Sequence, residues 1–316
     1  MSKTRYNLDL VFANIFFGAN FSFYVSLTRN YLDFQQIFML QVLSGAIFFI
    51  PFALFSKQSF RIRWRDAGNI LVVTMLIVYG WMYMLLWGSS YTSPIDASII
   101  STLGPAVTLI MDHIMHPHKY IKARVVGVVC ALAGAAVLLF DHGFVLTHGS
   151  RAYGNALVLV AVVAIAINTV IIKPQLERLG TLVVMGWYYI VGLAVTAPFF
   201  WKYIDHTQFL RLPLQAQAEL AYILILGTVL PMYLLYRGTE KLTFIHTALY
   251  RYIQPVVATV LALVRHQEQI DRTNIIAGVL IFASIILVIR EANLRGFFSS
   301  VQAPSPTPDG RSRKRP

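Results

Sequence analysis

Residues 248–264 read ALYRYIQPVVATVLALV, and a related pattern stands 150 residues earlier. There "STLGPAVTLI" (Ser101–Ile110) aligns with "RYIQPVVATV" (Arg251–Val260), proline on proline. Two further segments keep nearly the same offset. "GAIFFIPF" (Gly45–Phe52) pairs with "GLAVTAPF" (Gly192–Phe199), and "MYMLLWG" (Met82–Gly88) with "MYLLYRG" (Met232–Gly238). Asn20 and Asn168 form a fourth pair. Apolar sequence matches by chance, so no single pair is specific. Four in collinear order at nearly one offset mark an internal repeat.

Each repeat is built of apolar runs. A helix needs about 20 mainly apolar residues to cross the hydrocarbon core of a bilayer. Ten runs meet that length: 8–27, 36–55, 67–88, 95–114, 123–140, 153–172, 182–201, 219–236, 244–264 and 273–290. Charged residues make up 13% of the chain, about half the share in a soluble domain. The expected fold is therefore an all-α integral membrane protein of ten transmembrane helices. Five is odd, so the second half enters from the opposite side, and the halves are inverted five-helix repeats. Their expected bounds are 1–146 and 147–295, followed by a basic, disordered cytoplasmic tail at 296–316 rich in Pro and Ser.

The net charge of +12 does not point to nucleic acid, because the charges lie between apolar runs. They set the orientation instead. With both termini inside, the internal segments carry 19 of the 26 Lys and Arg and the external loops six, with Arg251 left within a run. The single cysteine, Cys130, permits no intrachain disulfide.

The chain resembles the EamA family of the drug/metabolite transporter superfamily. The resemblance rests on "FFGANFSFYVSL" in run one, "ISTLGPAVTLIM" in run four, "ARVVGVVCALAGAAVLL" in run five, "GNALVLVAVVAIAINTVIIK" in run six and "YRYIQPVVATVLALVRHQEQ" in run nine. It covers about residues 7–290. It implies a cavity lined by helices one, three, four, six, eight and nine, which would place Tyr83 and Tyr233 there. Gln41 stands where the family often has arginine. Glu268 fits a glutamate common after helix nine, whereas His118 takes the matching place after helix four.

Several residues are candidates for chemistry. A charge at mid-membrane costs about 2.5–3.5 kcal/mol on insertion scales, so Arg251 either binds an anionic substrate group or clamps nearby carbonyls and tyrosine hydroxyls. Ser101 is its repeat partner, and Tyr250 its neighbour. Pro105 and Pro255 are gating hinges or tolerated kinks. Asn20 and Asn168 bind substrate or bond helix to helix. Asp112 and His246 are the candidates for ion coupling, or cap helix ends.

No metal or cofactor is expected, and no P-loop, nucleophile elbow or dinucleotide fingerprint marks an enzyme. "MDHIMHPHKY" (Met111–Tyr120) offers one histidine cluster, too little for a di-metal oxidase. The expected function is a secondary transporter that exports a small organic metabolite such as an amino acid across a bacterial cytoplasmic membrane. The partners are that small molecule and the bilayer, and a homodimer is compatible with the sequence. The alternatives are a nucleotide-sugar or phosphate-ester exchanger of the same superfamily and, outside transport, a membrane-embedded enzyme or scaffold.

Overall fold

The computed structural model describes residues 3–55, 64–115, 149–205, 211–242 and 244–280, with single positions at 62, between 129 and 147, and at 283. Among them all regular structure is helical and no strand forms. The helices are α1 (Lys3–Asn30), α2 (Phe34–Leu54), α3 (Trp64–Met75), α4 (Met84–Ser89), α5 (Pro94–Ser101), α6 (Gly104–Met115), α7 (Arg151–Leu179), α8 (Thr181–Asp205), α9 (Leu214–Leu224), α10 (Leu230–Lys241), α11 (Phe244–Leu249) and α12 (Ile253–Val264). Residues 272–280 are helical as well.

Seven continuous helical stretches among the described residues are long and apolar enough to cross a membrane. They match runs one, two, three, six, seven, eight and nine. The eighth starts at Leu214 rather than residue 219, because Gln215, Gln217 and Glu219 make its first turns polar. The fourth run is not one helix but two, α5 and α6, parted by a turn at Thr102–Leu103. Most of run five, run ten beyond residue 280 apart from position 283, and the basic tail lie outside the described residues.

Local chemistry sets the ends. Ser93 caps α5 by accepting from Asp96 N at 3.1 Å, with Pro94 at the first helical position, where its missing N–H costs nothing. Ser150 caps α7 in the same way, accepting from Tyr153 N at 3.1 Å. Gly180 closes α7 at φ +80°, a left-handed conformation that glycine adopts without strain.

Two interruptions recur in both halves. The third run passes through a π-helical segment at Leu76–Tyr83 and the eighth through one at Ile225–Val229. A π segment shifts the backbone pairing and strands carbonyls, which inside a membrane need a protein partner. Asn168 Nδ2 donates to Val73 O at 3.0 Å, beside the first, and Asn20 Nδ2 to Gly227 O at 2.7 Å, within the second. Each asparagine thus crosses to the other half. The second recurrence lies at the prolines. The Thr102–Leu103 turn precedes Pro105, and the 3-10 turn Tyr250–Tyr252 precedes Pro255. Proline cannot bond back to the fourth residue before it, which is Ser101 in one case and Arg251 in the other.

Packing follows the same exchange. α1 lies against α10 and α12, while α7 lies against the first π segment, α4, α5 and α6. α2 and α8 form the most extensive pair, and they run antiparallel. Phe38 meets Phe200 at 5.1 Å, and Phe49 stacks on Tyr189 at 5.3 Å and 9°. Gly45 admits that stack, since a Cβ there would fall inside the Tyr189 ring. Gly45→Ala should therefore overpack this interface and cost about 1–3 kcal/mol. Gly68, with open space around it, supplies the control. Melting of the two purified alanine variants checks this, and equal stability would contradict it.

Candidate functional site

Where the two broken helices meet, they leave a small cavity. α1 supplies Asn14, Phe17, Asn20, Phe21 and Tyr24, and Trp81 enters from the first π segment. Ser101 closes one side, from the break between α5 and α6. Arg251 and Gln254 close another, from the break before α12. Ala161, Val162 and Ile165 of α7 complete an apolar wall. The space, measured to the centres of the waters it can hold, is about 20 Å³, room for one or two water molecules. A metabolite enters only if the helices separate.

Arg251 is 8% exposed. Its guanidinium lies over Gly104, where a Cβ would stand 3.2 Å from its Cδ and 3.4 Å from Nη1. No hydrogen bond or ion pair engages it among the described residues. The amides nearby are occupied with one another. Gln254 Nε2 donates to Asn14 Oδ1 at 2.7 Å, and Asn14 Nδ2 donates to Leu10 O at 2.7 Å. Ser101 Oγ donates to Ala97 O at 2.8 Å. Behind them Gln41 Nε2 donates to Tyr24 OH at 2.9 Å and to Thr228 Oγ1 at 2.6 Å, so the position expected from the family as arginine is a neutral helix-to-helix bond here.

Of the sequence candidates, the structure brings Arg251, Ser101 and Asn20 to the cavity. Tyr83 does not line it. It packs among Phe34, Phe38 and Phe200 at 5.1–5.5 Å, and Trp81 takes its place. The π segment adds a residue to the turn, which rotates later side chains by about 100° from an α-helical register. Tyr233 lies under the Arg237 guanidinium at 5.4 Å. Asn168 accepts from Tyr236 OH at 3.3 Å while holding Val73. Tyr250 packs against the core beside the cavity. Neither proline lines the cavity. Pro105 is buried, and Pro255 borders an apolar groove with Ile95, Ile99 and Asn274. The side chains of Asp112 and His246, and His118 and the rest of the histidine cluster, lie outside the described residues. Sequence reasoning missed Asn14, Gln254, Tyr24 and Trp81 as lining residues. The signal for Asn14 and Gln254 was available, since both are amides inside apolar runs.

Ion pairs fasten both ends of the bundle. At the end holding the α1 N-terminus, Arg237 Nη2 donates to Asp9 Oδ1 at 2.5 Å, Arg178 pairs with Asp66, and Glu240 accepts from Thr181 Oγ1 at 2.6 Å. At the other end Arg151 Nε donates to Asp96 Oδ2 at 2.6 Å and Arg151 Nη2 to Glu268 Oε1 at 2.7 Å. Asn274 Nδ2 and Asn155 Nδ2 also donate to Asp96, at 2.8 and 3.2 Å. Arg265 pairs with Glu219 and reaches Ser26 Oγ at 3.2 Å. Burial pushes the Glu268 carboxyl above the usual carboxylate range, although Arg151 pulls the other way. Among the described residues these pairs hold the helices together on either side of the small cavity.

The model of the EamA-like transporter family matches residues 6–140 and again 152–290. The chain belongs to the EamA-like transporter family. It is thus a multi-pass membrane protein and a transporter of the drug/metabolite superfamily, with the family unit present twice. An uncharacterized transporter of Bacillus subtilis (strain 168), YetK, is 22% identical over 226 residues, 71% of this chain and 68% of that protein. One of Archaeoglobus fulgidus is 23% identical over 73% of this chain and 80% of its own length. A WAT1-related protein of Arabidopsis thaliana, At3g28130, is 27% identical over 124 residues. A solved crystal structure shares the fold, with a TM-score of 0.64 at 18% identity over 90% of this chain and 97% of that one.

Proposed function

We propose that this EamA-family protein is a secondary carrier for a small organic metabolite bearing a carboxylate, the class that includes amino acids, and that it works by alternating access around the Arg251 cavity. The observation that carries the reading is one guanidinium, nearly buried and unpaired among the described residues, facing a small cavity between the two repeats. A planar guanidinium suits a carboxylate, to which it can donate two parallel bonds. Phosphate suits it too, so a phosphate-ester or nucleotide-sugar exchanger is the second reading. A single cation and a narrow cavity favour the smaller, singly charged cargo.

The full architecture in this proposal is ten spans in two inverted five-helix repeats, residues 1–146 and 147–295, with a solvated tail at 296–316. The antiparallel α2–α8 pair and the matched π segments and proline breaks support it. Both termini are cytoplasmic in a bacterial inner membrane, on the strength of the Lys and Arg bias, and the net direction is outward. Gating consists of rocking about the breaks at Pro105 and Pro255, which release the ion pairs at one end while those at the other hold.

Two measurements test this. Counterflow in proteoliposomes against a panel of amino acids, other carboxylates and phosphate esters should show exchange with carboxylates. Exchange with phosphate esters alone would select the second reading. In a Cys130→Ala background, cysteine at the exposed Arg211 should label from outside and cysteine at Ser312 only from inside. Labelling of position 312 from outside would remove the topology.

A further inference from the structure

The charge balance of the cavity narrows its cargo. Among the described lining residues Arg251 is the one charged side chain and no carboxylate is present. The carboxylates the structure places in the bundle are spent at its ends, Asp9 and Asp66 at one, Asp96, Glu219 and Glu268 at the other. The remaining polar groups around Arg251 are neutral amides and hydroxyls; Asn14 Oδ1 is taken by Gln254, and Asn20 Oδ1, which no donor reaches among the described residues, is a neutral acceptor that does not balance a second positive charge. A buried, unpaired cation calls for an anion.

An α-amino acid brings an ammonium group with its carboxylate. Because the two groups are joined through one carbon, docking the carboxylate on Arg251 holds the ammonium within a few ångströms of the same guanidinium. No acid among the described lining residues screens the two like charges, and at short range inside a protein their repulsion is large. Much of the remaining lining is apolar, with Phe17 and Trp81 edge to face at 5.7 Å and Leu85, Ala161, Val162, Ile165 and Leu235 beside them. On these grounds we infer that the cavity selects monocarboxylates with a compact apolar body and no ammonium group, over the amino acids of the same skeleton. This rests on the reading of Arg251 as the anion-binding residue.

Three probes of one skeleton separate the charges: 3-phenylpropionate, phenylalanine and 2-phenylethylamine. Binding is measured by calorimetry on the purified full-length protein, wild type and Arg251→Gln, with melting temperature recorded on the same samples. We expect 3-phenylpropionate to bind at least about ten-fold more tightly than phenylalanine and phenylethylamine not to bind. The Arg251→Gln change should abolish the preference between the first two. Phenylalanine binding as tightly as 3-phenylpropionate, with both depending on Arg251, would overturn the inference and leave the anion-binding role standing. Binding of 3-phenylpropionate that is unchanged in Arg251→Gln, or absent in the wild type, would overturn both.

Discussion

Arg251→Gln is expected to weaken binding of the transported anion by roughly 10- to 150-fold, the range for losing one hydrogen bond to a charged group at about 1.5–3 kcal/mol. Its effect on stability should have the opposite sign from that of an ordinary buried arginine. A structural clamp, once cut, leaves its partners unsatisfied and lowers the melting temperature. Arg251 has no hydrogen bond or ion pair among the described residues, although Tyr236 lies close enough to interact with its charge, and it is only 8% exposed. Its desolvation is a cost carried by the substrate-free protein, so the glutamine variant should melt at the wild-type temperature or above. Arg251→Lys keeps the charge but loses the planar fork, and should fall between the two in affinity. Normal affinity with a lowered melting temperature in Arg251→Gln would make the arginine a structural part.

Arg151→Ala should produce the largest loss of stability. Arg151 ties α5 to the segment after α12 through Asp96 and Glu268. Removing it takes the cation from the Asp96 carboxylate, 2% exposed, and leaves it to neutral donors such as the Asn155 and Asn274 amides. Breaking a buried pair by removing one partner costs about 3–5 kcal/mol, and the 28% exposure of Arg151 puts this case near 3. Adding Asp96→Asn removes the orphan charge and should recover part of the loss. Thermal unfolding of the single and double variants measures both effects. An Arg151→Ala protein as stable as wild type would show that the cluster is not a latch.

The repeat was legible because proline, glycine and asparagine punctuate apolar sequence at a fixed offset. The breaks at Pro105 and Pro255 followed from the chemistry of proline, and with them the placement of Ser101 and Arg251. The π segments were not legible. Leu76–Tyr83 and Ile225–Val229 are mostly apolar, and their extra turn residue leaves no mark in composition. The family resemblance put Tyr83 at the cavity, where Trp81 stands. The Arg151 cluster was hidden for another reason. Asp96 and Arg151 were visible as charges near run ends, but their pairing spans 55 residues and depends on how helices from different halves meet.

The central claim is that one buried site is reached from each side of the membrane in turn. Ser101, 6% exposed and lining the cavity opposite Arg251, is the position to probe. Ser101→Cys in a Cys130→Ala background, reconstituted in sealed proteoliposomes, is treated with a membrane-impermeant thiol reagent from one side or the other. The account predicts slow labelling from either side and protection from both by a transported carboxylate. Labelling from one side only, indifferent to substrate, would contradict it.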